Sequence, residues 1–72
     1  MSYPILREMG EVLRTAPRAN ASAAEVAAWY ERKAVLWEHI AADEASERHA
    51  ALAQARLAHQ HSEALLSGGV AA

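Results

Sequence analysis

The fold is decided by residues 22–66, which read SAAEVAAWYERKAVLWEHIAADEASERHAALAQARLAHQHSEALL. This stretch holds neither glycine nor proline, the two residues that most often interrupt helices. It opens with Ser22 and Glu25, the pair of a capping box, and it ends before a Ser-Gly-Gly segment suited to a helix C-terminus. The pattern predicts one long helix over 22–66, with two helices separated by a break near 42–46 as the alternative.

The alternative comes from a polar segment in the middle of the stretch. Residues 42–48 read ADEASER, and either Asp43 or Ser46 is a suitable cap for a new helix. The continuous helix is the preferred prediction, because the apolar stripe keeps nearly the same orientation before and after this segment when residues are placed about 100° apart.

The apolar stripe along 22–66 is the strongest pattern in the chain. Its first half is aromatic, and its second half consists mainly of small residues and leucine. Lys33 interrupts the first half, but its aliphatic stem can pack along tryptophans while its ammonium group makes a cation–π contact. We predict an interaction seam formed by Trp29, Tyr30, Lys33, Leu36, Trp37, Ile40, Leu52, Ala55, His59, Leu65 and Leu66.

A short first helix is predicted over residues 3–15. Ser2 is its candidate N-cap, and Pro4 falls in the first turn, where the missing N–H costs nothing. Residues 16–21 form a short turn, so this helix should pack antiparallel on the long one as a helical hairpin. The terminal residues 67–72 are predicted to be a flexible tail.

The lengths of the two predicted helices indicate self-association. A helix over 22–66 would be about 65 Å long, whereas the first helix would be about 20 Å long. The first helix can therefore cover only half of the stripe, and the remainder around Leu52 needs another chain. The expected fold is all-α, a helical hairpin that assembles as a dimeric helical bundle, with a three-helix bundle as the alternative.

Composition limits the classes of function. The chain has 72 residues, a formal net charge of -2 and no cysteine. A chain this short supports one small domain with a thin core, and its charge does not favour nucleic acid. Lack of cysteine excludes disulfides and thiol chemistry. We see no signal peptide and no apolar run long enough to span a membrane, and therefore predict a cytoplasmic protein.

The histidines raise the question of a metal site. His39 with Asp43, and His59 with Glu63, are spaced four residues apart, which places each pair on one helical face. Two ligands do not complete a site, and neither Glu-x-x-His nor His-Glu-x-x-His occurs. We predict no metal ligand, no cofactor and no catalytic residue.

These observations predict a small non-enzymatic interaction and oligomerisation module that binds itself and another protein. One alternative is a small DNA-binding or transcription-associated regulator, in which a third helix would carry Arg48 and Arg56 to DNA. Its acidic neighbours would repel phosphates, so nucleic acid is not the expected partner. The other alternative is a metal-binding helical bundle.

Overall fold

Three α-helices and one short 3₁₀ turn make up the computed structural model of the chain, which describes residues 2–68. The elements are α1, Tyr3–Arg14; α2, Ala23–Asp43; the 3₁₀ turn, Ala45–Glu47; and α3, Arg48–Leu66. The all-α prediction is confirmed. The predicted tail begins within the described part, but its residues from 69 onward lie outside it.

The first two helices begin at side-chain caps. The Oγ of Ser2 accepts a hydrogen bond from the Ile5 N–H at 3.4 Å. At α2, the Oγ of Ser22 accepts from the Glu25 N–H at 3.1 Å, and the Glu25 carboxylate accepts from the Ser22 N–H at 3.2 Å. These bonds satisfy N–H groups that have no partner inside a first turn, which fixes both starting points locally.

The preferred prediction of a continuous helix over 22–66 is wrong, and the alternative with a break near 42–46 is what the structure shows. α2 ends at Asp43, and Glu44 adopts extended backbone angles while its N–H still donates to the Ile40 carbonyl at 2.8 Å. After the 3₁₀ turn, α3 runs back along α2. Three contacts give the antiparallel register: Ala41 with Arg48, Glu31 with His59, and Tyr30 with His61.

The chain reverses because both halves carry a face of small residues. On α2, Ala27, Ala34 and Ala41 recur every seven residues and are buried; on α3, the buried residues are Ala51, Ala55, Ala58 and Ser62. Small side chains let two helices approach closely along their whole length. One straight helix would leave both of these faces exposed to water. Packing the two faces against each other removes their apolar surface from water, which favours the reversed chain.

A long-range hydrogen bond stabilises the turn itself. The Nε of Arg48, at the start of α3, donates to the carbonyl oxygen of Ala41 at 3.1 Å. That carbonyl belongs to the last turn of α2, where main-chain acceptors have no partner within the helix. The arginine therefore ties the start of α3 to the end of α2.

α1 packs antiparallel on the opposite side of α2. The Ser2 N–H donates to Asp43 at 3.1 Å, and the Nε1 of Trp29 donates to the Val12 carbonyl at 2.8 Å. The core cluster extends from α1 across α2 to the start of α3: Ile5, Val12, Leu36, Ile40, Ala41 and Ala51.

Candidate interaction groove

The three helices lie side by side in one layer. α2 is the middle helix: its backbone lies close to both α1 and α3, whereas within the described chain no Cα atom of α1 lies within 8 Å of one of α3. The layer measures 37 × 24 × 12 Å. Because helices normally bury their apolar faces between two layers, one face of this molecule is left with a groove over α2.

The groove has α2 as its floor and the flanking helices as its walls. Two adjoining cavities share Met9, Trp37 and Ile40, and the larger has a volume of about 570 Å³. We define the groove by the floor residues Lys33, Trp37 and Ile40, the α1 wall residues Met9 and Leu13, and the α3 wall residues Gln54 and Leu57.

Large apolar side chains in this region are only partly covered. Met9, Trp29 and Trp37 pack against the core cluster but are half-buried. At the rim, Leu13 is 69% exposed and Leu57 is 48% exposed. Among the described residues no side chain larger than that of serine is fully buried. The chain by itself therefore does not enclose the aromatic part of its core.

Lys33 lies half-buried on the groove floor. Its Nζ is 5.1 Å from the ring centroid of Trp29 and 5.8 Å from that of Tyr30. Both distances fall within the range of cation–π attraction. Within residues 2–68 the amine forms no ion pair, so its charge is met by aromatic rings and solvent.

The aromatic side chains near Lys33 are held in place by specific contacts. The Trp29 indole donates to Val12 of α1, and its ring meets that of Tyr30 edge to face, with centroids 5.3 Å apart. Tyr30 in turn meets the ring of His61 on α3 edge to face at 4.9 Å. These contacts join all three helices at the level of Lys33.

The other end of the groove is acidic. Glu44 and Glu47 line it, together with Ser46 of the 3₁₀ turn. The groove thus has a cation toward one end and carboxylates at the other, and between them lie the half-buried side chain of Trp37 and the buried side chain of Ile40.

The predicted interaction seam does not form one surface. Its α2 members line the cavities over α2, and two of them, Leu36 and Ile40, are buried in the core. On α3, Ala55 is buried against α2, and Leu65 is half-buried beside Val26. Leu52 is 38% exposed and does not line the groove, and Leu66 is also exposed. The prediction that the alanine face around Leu52 pairs with another chain is wrong, because α2 of the same chain covers that face.

The two walls of the groove were not predicted from the sequence. Met9 and Leu13 belong to the apolar face of α1, which the sequence pattern does show. That face is wide enough to contact α2 and still leave Leu13 exposed, so part of it forms a wall of the groove. Gln54 and Leu57 became wall residues only when α3 folded back beside α2. No local pattern in α3 indicates that position.

The two histidines considered as metal ligands contact carboxylates instead. His39 Nδ1 lies 2.6 Å from Glu8, while Asp43 accepts from the Ser2 N–H. His59 contacts Glu31 through Nδ1 at 3.0 Å and Glu38 through Nε2 at 3.3 Å. Across residues 2–68 there is no cluster of three or more such side chains arranged to hold a metal ion.

The contacts of His59 raise its pKa above the ordinary value of 6.5. The hydrogen bond to Glu31 has the largest effect and that to Glu38 the next, since each carboxylate stabilises the imidazolium form. With both ring nitrogens donating to carboxylates of α2, the protonated histidine links α3 to α2.

The arrangement of α2 and α3 differs from that of a helix-turn-helix. The two helices of that motif cross at about 90–120°, whereas α2 and α3 run antiparallel along each other. Arg48, one of the two arginines considered for DNA contact, is bonded to the Ala41 carbonyl. None of the helices in the described part is both long and apolar enough to cross a bilayer.

Comparison of the chain with protein-family models, with curated proteins and with solved structures gives no match in any of the three. The groove is therefore the feature of the molecule that bears on its function.

Proposed function

We propose that this protein is a small non-enzymatic interaction module that binds an apolar helical surface of a protein in the groove over α2. The observation that carries the proposal is the single-layer fold, which leaves Trp37 and Met9 half-buried between two walls. Helix-in-groove recognition uses this type of surface, in which apolar anchors of the partner enter a groove between helices.

The chemistry of the groove supports a protein partner. Its floor is aromatic and aliphatic, and tryptophan and methionine are enriched at protein interfaces. The lysine at one end and the glutamates at the other supply the charges that set the orientation of a bound helix.

Site-specific photo-crosslinking in cells that produce the protein tests this function. A photoreactive phenylalanine derivative replaces either Leu57, on the groove wall, or Leu52, outside the groove. Both are partly exposed leucines of α3, so they form a matched pair. We expect a protein adduct of defined mass from position 57 and none from position 52.

A second substitution shows whether the adduct depends on the groove. Leu13 lies on the opposite wall and is largely exposed, so Leu13→Arg should leave the fold intact. The position-57 adduct should disappear in that background, because an arginine on the rim blocks an apolar partner. An absent adduct, equal adducts at both positions, or an adduct that survives Leu13→Arg would overturn the proposed function.

A further inference from the structure

We infer that the helix bound in the groove carries a side-chain carboxylate within its apolar face, and that this carboxylate pairs with the ammonium group of Lys33. The inference rests on the proposed function, because it names the chemistry of the partner that the same groove binds.

Lys33 is a cation without a carboxylate partner in the described chain. It is the chain's single lysine, and it lies half-buried where it lines two of the cavities over α2. None of the other residues around these two cavities is acidic. Within residues 2–68 its Nζ forms no ion pair and faces the rings of Trp29 and Tyr30. The counter-ion is therefore left for a bound molecule to supply.

The groove has the width of one helix. The layer is 24 Å wide across its three helices, as expected when neighbouring axes lie about 8–10 Å apart. The axes of α1 and α3 are then about 16–20 Å apart, so one helix of about 10 Å diameter can lie on α2 between them. A helix in this position covers Lys33, because Lys33 belongs to the floor.

Covering Lys33 is costly unless the partner offers it an acceptor. Leu13 on α1 and Leu57 on α3 line the cavities on either side of the lysine, so a bound helix excludes water from it together with these two leucines. An ammonium group that is removed from water without a partner is strongly destabilising. A carboxylate removes this cost, and its attraction to the lysine is stronger than in open solvent because the local dielectric is lower.

The floor also predicts what surrounds the carboxylate on the partner helix. Trp37 lies four residues from Lys33, one turn along α2, and Met9 of the α1 wall lies beside it. The partner should therefore carry large apolar residues three or four positions from its carboxylate, where they share a helical face with it.

Synthetic helical peptides test this chemistry directly. The probe is an alanine- and glutamine-based peptide of about 18 residues with blocked ends, in which leucines lie three, four and seven positions on each side of a central glutamate. Two further versions carry glutamine or lysine at the centre. Binding is followed by the emission of Trp29 and Trp37, the chain's two tryptophans, which both line the groove. The parent should bind the glutamate peptide about five- to tenfold more tightly than the glutamine peptide, and the lysine peptide most weakly.

Variants of the protein assign this preference to Lys33. Lys33→Gln should bind the glutamate and glutamine peptides within about twofold of each other, and Lys33→Glu should prefer the lysine peptide. Arg32→Gln is the matched control, since it removes the same charge one position away from an exposed residue that lines none of the groove cavities. The control should keep the preference of the parent, and far-ultraviolet circular dichroism should show equal helicity in all variants.

A carbodiimide, which joins an amine to a carboxylate in contact with it, locates the pair. The glutamate is the peptide's only carboxylate and Lys33 is the protein's only lysine, so fragment masses should place the new amide between them. Lys33→Arg keeps the positive charge and should keep the preference for glutamate. It should form no amide at this position, because the guanidinium group does not react.

Equal binding of the glutamate and glutamine peptides by the parent, or no binding of either at about 1 mM, overturns the inference. A preference that survives Lys33→Gln, or an amide at another position, overturns it as well.

The adduct formed in cells separates this inference from the proposed function. Lys33→Gln should lower the yield of the position-57 adduct, whereas Arg32→Gln should not. An adduct that depends on Leu13 but not on Lys33 overturns the inference and supports the proposed function. The absence of groove-dependent adducts overturns the proposed function, and the inference with it.

Discussion

Ala34→Leu tests whether the close approach of α2 and α3 holds the hairpin together. Ala34 has 0% of its surface exposed and lies at the middle of the alanine series on α2. The antiparallel register places it level with the space between Ala55 and Ala58 on α3. A leucine at this position adds three carbon atoms where two helices meet through side chains of one carbon.

The expected loss of stability is large for a chain of this size. Overpacking a filled core costs about 1–3 kcal/mol. We expect the upper end, about 3 kcal/mol, because separating the helices at Ala34 also opens the alanine contacts one heptad away in each direction. A 72-residue chain has a total unfolding free energy of roughly 4–11 kcal/mol. The melting temperature should therefore fall by about 12–24 °C.

Thermal unfolding followed by circular dichroism measures the effect, with Ala28→Leu as the control. Ala28 lies on the same helix but is exposed, and alanine and leucine have similar helix propensities. The control should melt within a few degrees of the parent. If Ala34→Leu melts together with Ala28→Leu, the alanine interface does not determine the fold, and the reasoning for the chain reversal fails.

Three further predictions concern the turn, the histidine contact and the outer face of α3. Ser46 is the second residue of the 3₁₀ turn, the position that Pro4 occupies in α1. Ser46→Pro should therefore cost less than about 1 kcal/mol in urea unfolding, whereas Ala53→Pro inside α3 should cost about 3 kcal/mol or more. The pKa of His59 is raised in the folded chain, so its contribution to stability is complete below pH 6.5 and is lost as the pH rises through the folded-state value. The stability difference between the parent and His59→Gln should shrink over that range, and a constant difference would show that the carboxylate contacts do not form. Leu52→Glu should change the unfolding free energy by no more than about 0.5 kcal/mol and leave any self-association intact, because Leu52 is exposed and does not line the groove. A loss of self-association in this variant would instead show that Leu52 lies in an interface between chains, as the interaction seam predicted from the sequence requires.

The local sequence determines the helices and where α1 and α2 begin. Ser2 with Pro4, and Ser22 with Glu25, act within a few residues, so the capping bonds in the structure are readable from the sequence. The aromatic stripe from Trp29 to Ile40 is similarly local, because residues three and four apart share a helical face. What the sequence could not show is that this stripe forms the floor of an open groove as well as the contact with α1.

Tertiary structure decides where the long stretch breaks. Residues 42–48 contain no glycine or proline, so local propensity permits a continuous helix as readily as a turn. The outcome depends on whether the alanines of α2 and α3 bury each other. Because alanine favours a helix equally well whether it is exposed or buried, the sequence of either helix alone does not show which of the two occurs. The bond from Arg48 to the Ala41 carbonyl and the contacts of His59 with Glu31 and Glu38 form only after the chain has reversed. Because these contacts are non-local, the hairpin, and with it the α3 wall of the groove, is fixed by the packing of two helices rather than by any segment alone.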